Sequence, residues 1–408
     1  MKFDDNSLYN IKSSLDGKRY SLFDLATWKN GLAFKKIHIS ETGVPVIKIA
    51  ELNNGIGGTT AYTQQVFSED VHINKGDLLF SWSGNPQTSI DIFRFNLEEG
   101  WLNQHIFKVT PDEKVIDRNY FYFLMKNLKP HFTQIATNKQ TTGLGHVTIA
   151  DIKRMNVIVP SLPVQKEIVS YIKPIDDKIE LNNEINNNLE QQAMALFKSW
   201  FIDYEPFDRQ VPTTWKCGVL GDFVEIKRGG SPRPIQNFLS DSGLHWLKIS
   251  DATGISSPFI NEIKEYIIEE GLKKTVFLKA GSLVLSNSAT PGLPKILDID
   301  TCIHDGWLYF PSSKFSNEYL YLYFKHIRDN LVALGNGSVF TNLKTDILKN
   351  YPTNLPTDEV LNEFDEIIKP IFSMILSKTR ESKRLTEIRD TLLPRLMSGE
   401  LDVSDIDL

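Results

Sequence analysis

Hydrogen-bonding side chains are concentrated in six short segments that lie between apolar runs. Three are in the first half of the chain and three in the second: "SWSGNPQTS" (81–89), "NQH" (103–105), "TNKQTTGLGH" (137–146), "KRGGSPRP" (227–234), "SNSATPG" (286–292) and "GNGS" (335–338). Arg, Lys, Asn, Gln, Ser and Thr carry the hydrogen-bond donors and acceptors with which a protein can bind a polar ligand. The segments are therefore candidate binding loops. The alternative is that they are ordinary surface turns.

The same residues do not form a recognisable active site. "NPQT" (85–88) begins like the Asn-Pro-Pro-aromatic motif of adenine methyltransferases, but Gln87 and Thr88 break it and no glycine-rich cofactor loop precedes it. "GLGH" and "GNGS" lack the third glycine of a dinucleotide-binding loop, and no Walker lysine loop is present. The eight His residues form no i, i+4 pair and there are two Cys residues, so neither a metal site nor a cofactor is predicted.

The charge of the chain is unevenly distributed. The 408 residues carry a net charge of −6, which by itself would argue against a nucleic-acid partner. Residues 163–208 hold 4 Lys/Arg and 9 Asp/Glu, and residues 356–408 hold 7 and 12. The rest of the chain is therefore net positive by four charges. A basic remainder is compatible with contacts to phosphate, whereas the two acidic segments would be repelled by it.

The two acidic segments mark an internal repeat. "IKPI" occurs at 172–175 and again at 368–371, an offset of 196 residues that continues without a gap downstream. Upstream, "VIKIAEL" (46–52) resembles "WLKISDA" (246–252), and "LFDLATWKNG" (22–31) resembles "LGDFVEIKRG" (220–229). A match over most of the chain at a nearly constant offset predicts two copies of one unit.

Each copy combines two kinds of pattern. The acidic segments place apolar residues three and four positions apart, which predicts long helices. Pro174 within the first of them predicts a kink or a new helix of about 28 residues, roughly 40 Å long at about 1.5 Å per residue. The remainder contains short β-type runs separated by Asn, Gly, Ser and Pro, with one or two helices expected in each copy, at 119–132 and 318–331. The predicted class is α+β.

The order of the parts predicts their arrangement. A compact domain usually has its ends close together, so the two long helices are expected to pair antiparallel, with a globular domain at each end and an approximate internal two-fold. The predicted bounds are 1–160 and 209–354 for the globular domains, and 161–208 and 355–408 for the helical segments. Polar residues interrupt the apolar helix face at Asn182, Asn186, Lys378 and Ser382. They either fix the register of the pair, at some cost in stability, or face solvent at a bend.

Three stretches identify a resemblance to a known family. They are "VPSLPVQKEIVSYI" leading into the first long helix, "ALFKSWFIDYEPF" (195–207) ending it, and "LLPRLMSGELDV" (392–403). With the duplicated plan, they resemble the specificity subunit (HsdS) of type I restriction-modification systems over nearly the whole chain. One departure is that the second Leu-Pro segment, "LPTDEVLNEF", lacks the Gln that Gln165 supplies in the first copy.

The resemblance implies a function. Each globular part would be a target-recognition domain that reads one half of a bipartite double-stranded DNA sequence. The helices would set the spacing of the half-sites and dock two methyltransferase subunits, and restriction subunits would add translocation and cleavage. The chain itself would be non-catalytic, without cofactor or membrane segment, in the cytoplasm. The bases recognised and the length of the spacer do not follow from the sequence.

Loop chemistry and resemblance together predict two sets of site residues. The predicted DNA-contacting residues are Ser83, Asn85, Gln87, Gln104, His105, Lys139, Gln140, Thr142, Lys227, Arg228, Arg233, Asn287, Ser288, Asn336 and Ser338. The predicted partner-contacting residues, at the end of the first long helix, are Leu196, Trp200, Phe201, Tyr204 and Phe207. Aromatic residues are enriched at interfaces. The alternative for this second set is packing against the following domain.

Overall fold

The computed structural model describes residues 4–140, 143–335 and 343–402. They divide into two units. Unit 1 extends to Asp177 and includes the segment from Leu385 onward, and unit 2 is Lys178–Arg384. Each unit thus contains one globular part and sections of both long helices. The domain bounds drawn from the repeat, which separate helices from globular parts, stay a prediction.

Unit 1 contains two four-stranded sheets and two small ribbons. Its central sheet is antiparallel throughout and has the order Ala26–Asn30, Ile106–Pro111, Leu78–Ser81, Asp91–Arg94. Its outer sheet has the order Tyr62–Thr63, Val44–Ile47, Glu99–Leu102, His72–Asn74, and the two middle strands are parallel. The ribbons pair Gly17–Ser21 with Asn156–Pro160 and Ser83–Gly84 with Gly145–His146.

The helices of unit 1 begin and end at recognisable signals. They are Asp5–Tyr9, Ile49–Asn54, Arg118–Asn127, Lys129–Asn138 and Ile149–Arg154, with 3-10 turns at Leu22–Leu25, Lys36–His38 and Glu69–Val71. The Asp117 carboxylate accepts the N–H groups of Asn119 and Tyr120 and so caps the third helix. Pro130 lies at the start of the next helix, where its missing N–H costs nothing. The helical prediction for 119–132 is confirmed, and the segment contains parts of two helices.

Unit 2 repeats this plan with five strands in each of its two sheets. Its central sheet has the order Lys227–Arg228, Trp307–Tyr309, Leu283–Ser286, Pro294–Leu297, Phe259–Ile260. Its outer sheet has the order Leu239–Ser240, Tyr266–Ile267, Leu244–Leu247, Thr301–Ile303, Val276–Leu278, and Lys216–Val219 pairs with Pro352–Leu355. Its helices are Leu220–Phe223, Ile249–Thr253, Asn317–Gly335 and Thr345–Lys349, with 3-10 turns at Glu205–Phe207, Ile235–Asn237 and Glu269–Lys274. The helix predicted over 318–331 is confirmed.

Equivalent hydrogen bonds confirm the internal repeat. The N–H of Gly31 donates to the carbonyl of Ile106 at 3.0 Å, and the N–H of Gly229 donates to the carbonyl of Trp307 at 2.8 Å. The middle strands of the two outer sheets are parallel in both units. The two copies therefore have the same strand plan, and residues in them can be matched one by one.

Two long helices contribute to both units. They are Leu162–Phe201 and Asp358–Ser398, and both run without interruption through an internal proline, Pro174 in the first. The expectation that Pro174 could start a new helix is wrong, since the first helix already begins at Leu162. A proline removes one backbone hydrogen bond, and tertiary packing offsets this loss because the neighbouring Ile172 is fully buried.

Within unit 2 the sections of the long helices run antiparallel and share a buried polar layer. Asn182 donates from Nδ2 to the Glu381 carboxylate at 3.1 Å, and Asn186 donates from Nδ2 to Thr379 Oγ1 at 3.2 Å. Asn182 has no exposed surface, and Asn186 is 9 % exposed. The alternative that these two residues face solvent is wrong. Their burial favours the register interpretation, because the two Nδ2 hydrogen bonds across the helices can form in one alignment only.

Each unit closes around its own hydrophobic core, to which the long helices contribute. In unit 1 Ile168 and Ile172 share a cluster with Leu396 and with the helices that follow the central sheet. In unit 2 the corresponding cluster contains Phe197 and Phe364, whose ring centroids lie 6.3 Å apart. The apolar faces predicted from the spacing of three and four residues are therefore buried against the globular parts as well as against each other.

Candidate nucleic-acid interface

In unit 1 the three candidate loops meet around Trp82. The backbone N–H of Trp82 donates to the carbonyl of His105 at 3.2 Å, and the backbone N–H of Val147 donates to the carbonyl of Trp82 at 2.8 Å. The indole ring centroid lies 5.7 Å from that of His105 and 6.3 Å from that of His146. Segments predicted independently at 81–89, 103–105 and 137–146 thus form one site.

The polar groups around Trp82 are hydroxyl, amide, indole and imidazole groups. Ser83 Oγ lies 3.2 Å from His146 Nδ1, and Gln104 Nε2 lies 3.3 Å from His105 Nε2. Trp82 Nε1 donates to Asn30 Oδ1 at 3.1 Å. Ser83 is buried and Gln104 half-buried, whereas His105 is exposed. The arrangement offers amide, hydroxyl and imidazole groups, together with an aromatic surface, to a ligand.

Other predicted residues of unit 1 have structural partners. Asn85 is exposed, and its Oδ1 accepts the N–H groups of Gln87 at 3.0 Å and of Thr88 at 3.2 Å, which fixes the turn of its loop. The Gln87 side chain lines a cleft of about 770 Å³ beside the helices 118–127 and 129–138. These contacts shape the loop and do not by themselves indicate DNA contact.

Lys139 is bound to a buried carboxylate. Its ammonium group pairs with Asp151, whose side chain is 2 % exposed. Burial opposes the ionisation of Asp151, but hydrogen bonds from Lys139 and Thr148 outweigh it and hold the pKa of Asp151 below its usual value. Gln140, the next residue, is exposed.

In unit 2 the candidate residues surround Asp305. Its carboxylate accepts hydrogen bonds from Ser231 Oγ at 2.8 Å and from Arg233 Nη2 at 3.1 Å. Its backbone carbonyl accepts one from Arg228 Nε and one, at 3.3 Å, from Asn287 Nδ2. One acidic residue therefore joins the segment 227–234 to the segment 286–292.

Asp305 is ionised in this setting. Burial would raise the pKa of its carboxyl group, but the hydrogen bonds from Ser231 and Arg233 and the charge of Arg233 more than compensate, so the pKa lies below its ordinary value. Burial lowers the pKa of the adjacent His304. The site therefore presents arginine cations beside a carboxylate.

The remaining predicted residues of unit 2 differ in exposure. Asn287 is 3 % exposed, and its Oδ1 has no hydrogen-bond partner among the described residues. Ser288 is half-buried, and Lys227 is exposed and paired with Glu225 at 2.8 Å. Hydrogen bonding to Glu225 raises the pKa of Lys227. Three predicted residues, Thr142, Asn336 and Ser338, lie outside the described residues.

The predicted partner-contacting cluster packs into the core of unit 2. Phe201 is 5 % exposed, and its ring centroid lies 4.7 Å from that of Phe364. Leu196, Trp200, Tyr204 and Phe207 are partly buried against the same core. The packing alternative therefore describes their contacts within the chain. Contact with a second protein stays a prediction for the surface that the four partly buried residues leave exposed.

Matching the two copies position by position shows which residues the loop analysis missed. When Gly31 is matched with Gly229, Asn30 in the first copy is equivalent to Arg228 in the second. The paired strands in the same way make Gln104 equivalent to Asp305. Asp305, Asn30 and Trp82 were not among the predicted residues. The parallel strands of the structure align "IHD" (303–305) with "LNQ" (102–104), which makes Asp305 the equivalent of the predicted Gln104; the sequence alone carried no signal for it.

No group of three or more His, Cys, Asp or Glu side chains suited to a metal ion occurs among the described residues. Within the same residues, no helix has the length and apolar character needed to cross a membrane.

Comparisons with known proteins agree with the duplicated plan. The chain is 26 % identical over 404 residues to the type I restriction enzyme HindI specificity subunit of Haemophilus influenzae, covering 81 % of this chain and 87 % of that protein. It is 25 % identical over 325 residues to the MjaIX specificity subunit of Methanocaldococcus jannaschii, covering 74 % and 73 %. The crystal structure of a type I restriction-modification S subunit from M. genitalium has the same fold, with a TM-score of 0.53 at 14 % identity over 97 % of this chain and 98 % of that one.

The family model agrees with the internal repeat found in the sequence. The model described as the type I restriction modification DNA specificity domain matches residues 16–191 and again residues 212–388. The two matches together span most of the chain and correspond to its two copies. The chain therefore belongs to the family of type I restriction-modification DNA specificity domains.

Proposed function

We propose that each unit reads one half of a bipartite DNA sequence, through the loops that meet around Trp82 in unit 1 and around Asp305 in unit 2. The observation that carries this proposal is one loop arrangement, built twice on equivalent strands but with different side chains. Asn30 and Gln104 in the first copy correspond to Arg228 and Asp305 in the second. Because base readout depends on donors and acceptors at fixed positions, two such sites would recognise different bases.

The long helices would set the distance between the half-sites and bind methyltransferase subunits. Their buried polar layer in unit 2 supports a single register, and a defined register is what a spacer requires. The acidic character of the two helical segments favours protein over phosphate as their partner. Restriction subunits would complete the complex, methyl transfer and cleavage would be carried out by these partners, and the complex would act in the cytoplasm.

Seven of the predicted DNA-contacting residues have exposed side chains that could reach base edges or phosphates. Asn85, Gln87, His105 and Gln140 in unit 1, and Lys227, Arg228 and Arg233 in unit 2, are exposed. Ser83 and Asn287 are buried and would act by shaping the loops.

The function is tested with the chain assembled with its methyltransferase subunits. The complex is incubated with a DNA library that contains two random segments separated by spacers of several lengths, and the bound and methylated molecules are sequenced. We expect enrichment of two short sequences at one spacer length. Binding that depends on salt but shows no sequence preference would contradict the proposal, because phosphate contacts alone produce that behaviour.

A further inference from the structure

The most specific chemistry in unit 2 is the pair of predicted arginines held by Asp305, a residue outside the predicted set. Arg233 has a side chain that is 77 % exposed, yet one of its terminal nitrogens is held by the Asp305 carboxylate at 3.1 Å. Arg228 is exposed, and its Nε is held by the Asp305 backbone carbonyl. An exposed arginine normally samples many rotamers, so two that are held by one residue are preorganised.

The bonds to Asp305 leave most of both guanidinium groups available. A guanidinium carries five N–H donors. Arg228 uses its Nε in the bond to Asp305, which leaves both terminal nitrogens for a ligand. Arg233 uses one N–H of Nη2 in the hydrogen bond to the carboxylate. In DNA, a free pair of guanidinium donors fits the O6 and N7 acceptors of guanine.

Asp305 is itself held in position. The Ser231 hydroxyl donates to its carboxylate at 2.8 Å, and Asn287 Nδ2 donates to its carbonyl at 3.3 Å. Asn287 is almost fully buried, so this part of the support is fixed by the fold. The positions equivalent to Arg228 and Asp305 in unit 1 carry Asn30 and Gln104, which are uncharged. The arginine arrangement is therefore a property of unit 2 and not of the shared plan.

Resting on the proposed function, we infer that Arg228 and Arg233 read guanine in the half-site bound by unit 2, and that Asp305 is the positioning residue that orients both. Unit 1, with Asn30 and Gln104 at the positions equivalent to Arg228 and Asp305, makes no such paired contact. The ligand is a G·C base pair approached from the major groove, where guanine presents both acceptors on one edge.

The library experiment with the assembled complex tests this inference with Arg228→Ala and Arg233→Ala. Each variant should lose guanine preference at one position of one half-site, by about 5- to 150-fold, the range expected for one bidentate contact. The other half-site should be unchanged. Arg19→Ala is the matched control, because Arg19 is an exposed arginine of unit 1 outside the loops, bonded to Asn10; its sequence preference should equal that of the wild type.

Asp305 is tested by Asp305→Asn and Asp305→Glu. Asp305→Asn should relax the guanine position read by Arg233 although that arginine remains, because it removes the carboxylate that holds Arg233. The position read by Arg228 should keep its preference, because the backbone carbonyl that holds Arg228 is unchanged. Asp305→Glu should recover part of the lost preference because it restores the carboxylate. A second readout separates base contact from a structural effect. Replacing the guanine by 7-deazaguanine, which lacks the N7 acceptor, should weaken binding by the wild type. It should have no further effect on the variant that lacks the arginine proposed to contact that guanine.

Each contrary result has a defined meaning. A wild-type complex without any bipartite preference would contradict the proposed function and this inference together. A selective wild type whose two arginine variants keep the full preference would overturn the inference alone. Equal weakening for all sequences in the arginine variants would assign these residues to phosphate and also overturn it. Full preference at the position read by Arg233 in Asp305→Asn would overturn the positioning role of the Asp305 carboxylate.

Discussion

At the residue scale, close backbone approach explains why both copies carry a glycine at the edge of the site. A Cβ added at Gly31 would lie 2.1 Å from the carbonyl oxygen of Asn103, and one added at Gly229 would lie 2.4 Å from that of His304. The two oxygens belong to the residues directly before Gln104 in unit 1 and Asp305 in unit 2. The glycines therefore hold the loops against each other and allow the cluster around Trp82 or Asp305 to form.

We predict that Gly229→Ala destabilises the chain and weakens readout of one half-site. The new methyl group must displace the backbone near His304, and overpacking of this kind typically costs about 1–3 kcal/mol. Gly254→Ala is the control, because nothing lies within 4 Å of its Cβ position and its φ is −94°. Denaturant unfolding would measure both variants. Equal stability of the two would show that the close approach does not constrain this loop.

Asp91 is a second residue whose environment allows a prediction. It is 9 % exposed and bonded by Lys126 at 3.0 Å and Lys129 at 2.6 Å. Burial opposes its ionisation, but the two lysines hold the pKa of Asp91 below its ordinary value. A carboxyl group whose pKa is lower in the folded state contributes stability above the pKa it has when unfolded, about 4, and loses that contribution as the pH falls towards the folded pKa.

Asp91→Asn should therefore reduce stability at neutral pH and weaken the dependence of stability on pH below about 4. Removing one partner of a fully buried pair costs about 3 kcal/mol or more, and we expect a smaller loss here because the Lys126 and Lys129 side chains are 27 % and 40 % exposed. Asp70→Asn is a matched control, since Asp70 pairs with Lys29 at the surface, where such pairs contribute about 0–1 kcal/mol. Unfolding free energies measured from pH 2 to 7 would test this. An unchanged acid slope in Asp91→Asn would show that another carboxylate causes the acid loss.

At the element scale, the sequence predicted the type of most elements but not how they are joined. The spacing of apolar residues was sufficient for the long helices because three- and four-residue periodicity is a strong signal. The short strands at 78–81 and 283–286 were recognisable because each is a short apolar run, and in the structure all four residues of each are buried. The prolines misled the prediction, since local chain chemistry disfavours proline in a helix, whereas burial of Ile172 favours a continuous one.

The candidate site was predicted in part for a physical reason. The composition of the loops indicates which segments can form hydrogen bonds, and five of the six predicted segments lie wholly or largely within the described residues. The composition does not indicate which side chains are already used. Asn85 caps its own turn and Lys139 pairs with Asp151, whereas Asp305 became visible as the centre of the unit 2 site only through its contacts. Contacts between distant segments depend on the tertiary fold and are not encoded in local spacing.

The spacer role of the helices leads to a prediction at this scale. Asn182 contacts Glu381 and Asn186 contacts Thr379, so Glu184 lies between two defined contacts of the antiparallel pair. Inserting one heptad after Glu184 and a matching heptad after Arg380 should preserve the apolar face and lengthen both helices by about 10 Å. One turn of DNA is about 34 Å and about 10 bp, so the preferred spacer should increase by about 3 bp. Sequencing of DNA selected by the complex measures it, and an unchanged spacer in a folded complex would rule out this role.

At the scale of the whole molecule, the duplication explains how one chain could read two different half-sites. The two units share the strand plan, the close glycine approach and the participation of both long helices. They differ at equivalent loop positions, since Asn30 and Gln104 in unit 1 correspond to Arg228 and Asp305 in unit 2. Conserving the framework while changing the loops lets recognition vary without changing the contacts that stabilise each core.

The most direct test of this account is exchange of one globular part. Residues 209–355 are replaced by the corresponding segment of another member of the family, the chimera is assembled with the methyltransferase subunits, and the selected DNA is sequenced. We expect one half-site to change, while the other half-site and the spacer stay as in the wild type. A simultaneous change of both half-sites would contradict the central claim that each unit reads its own half of the target.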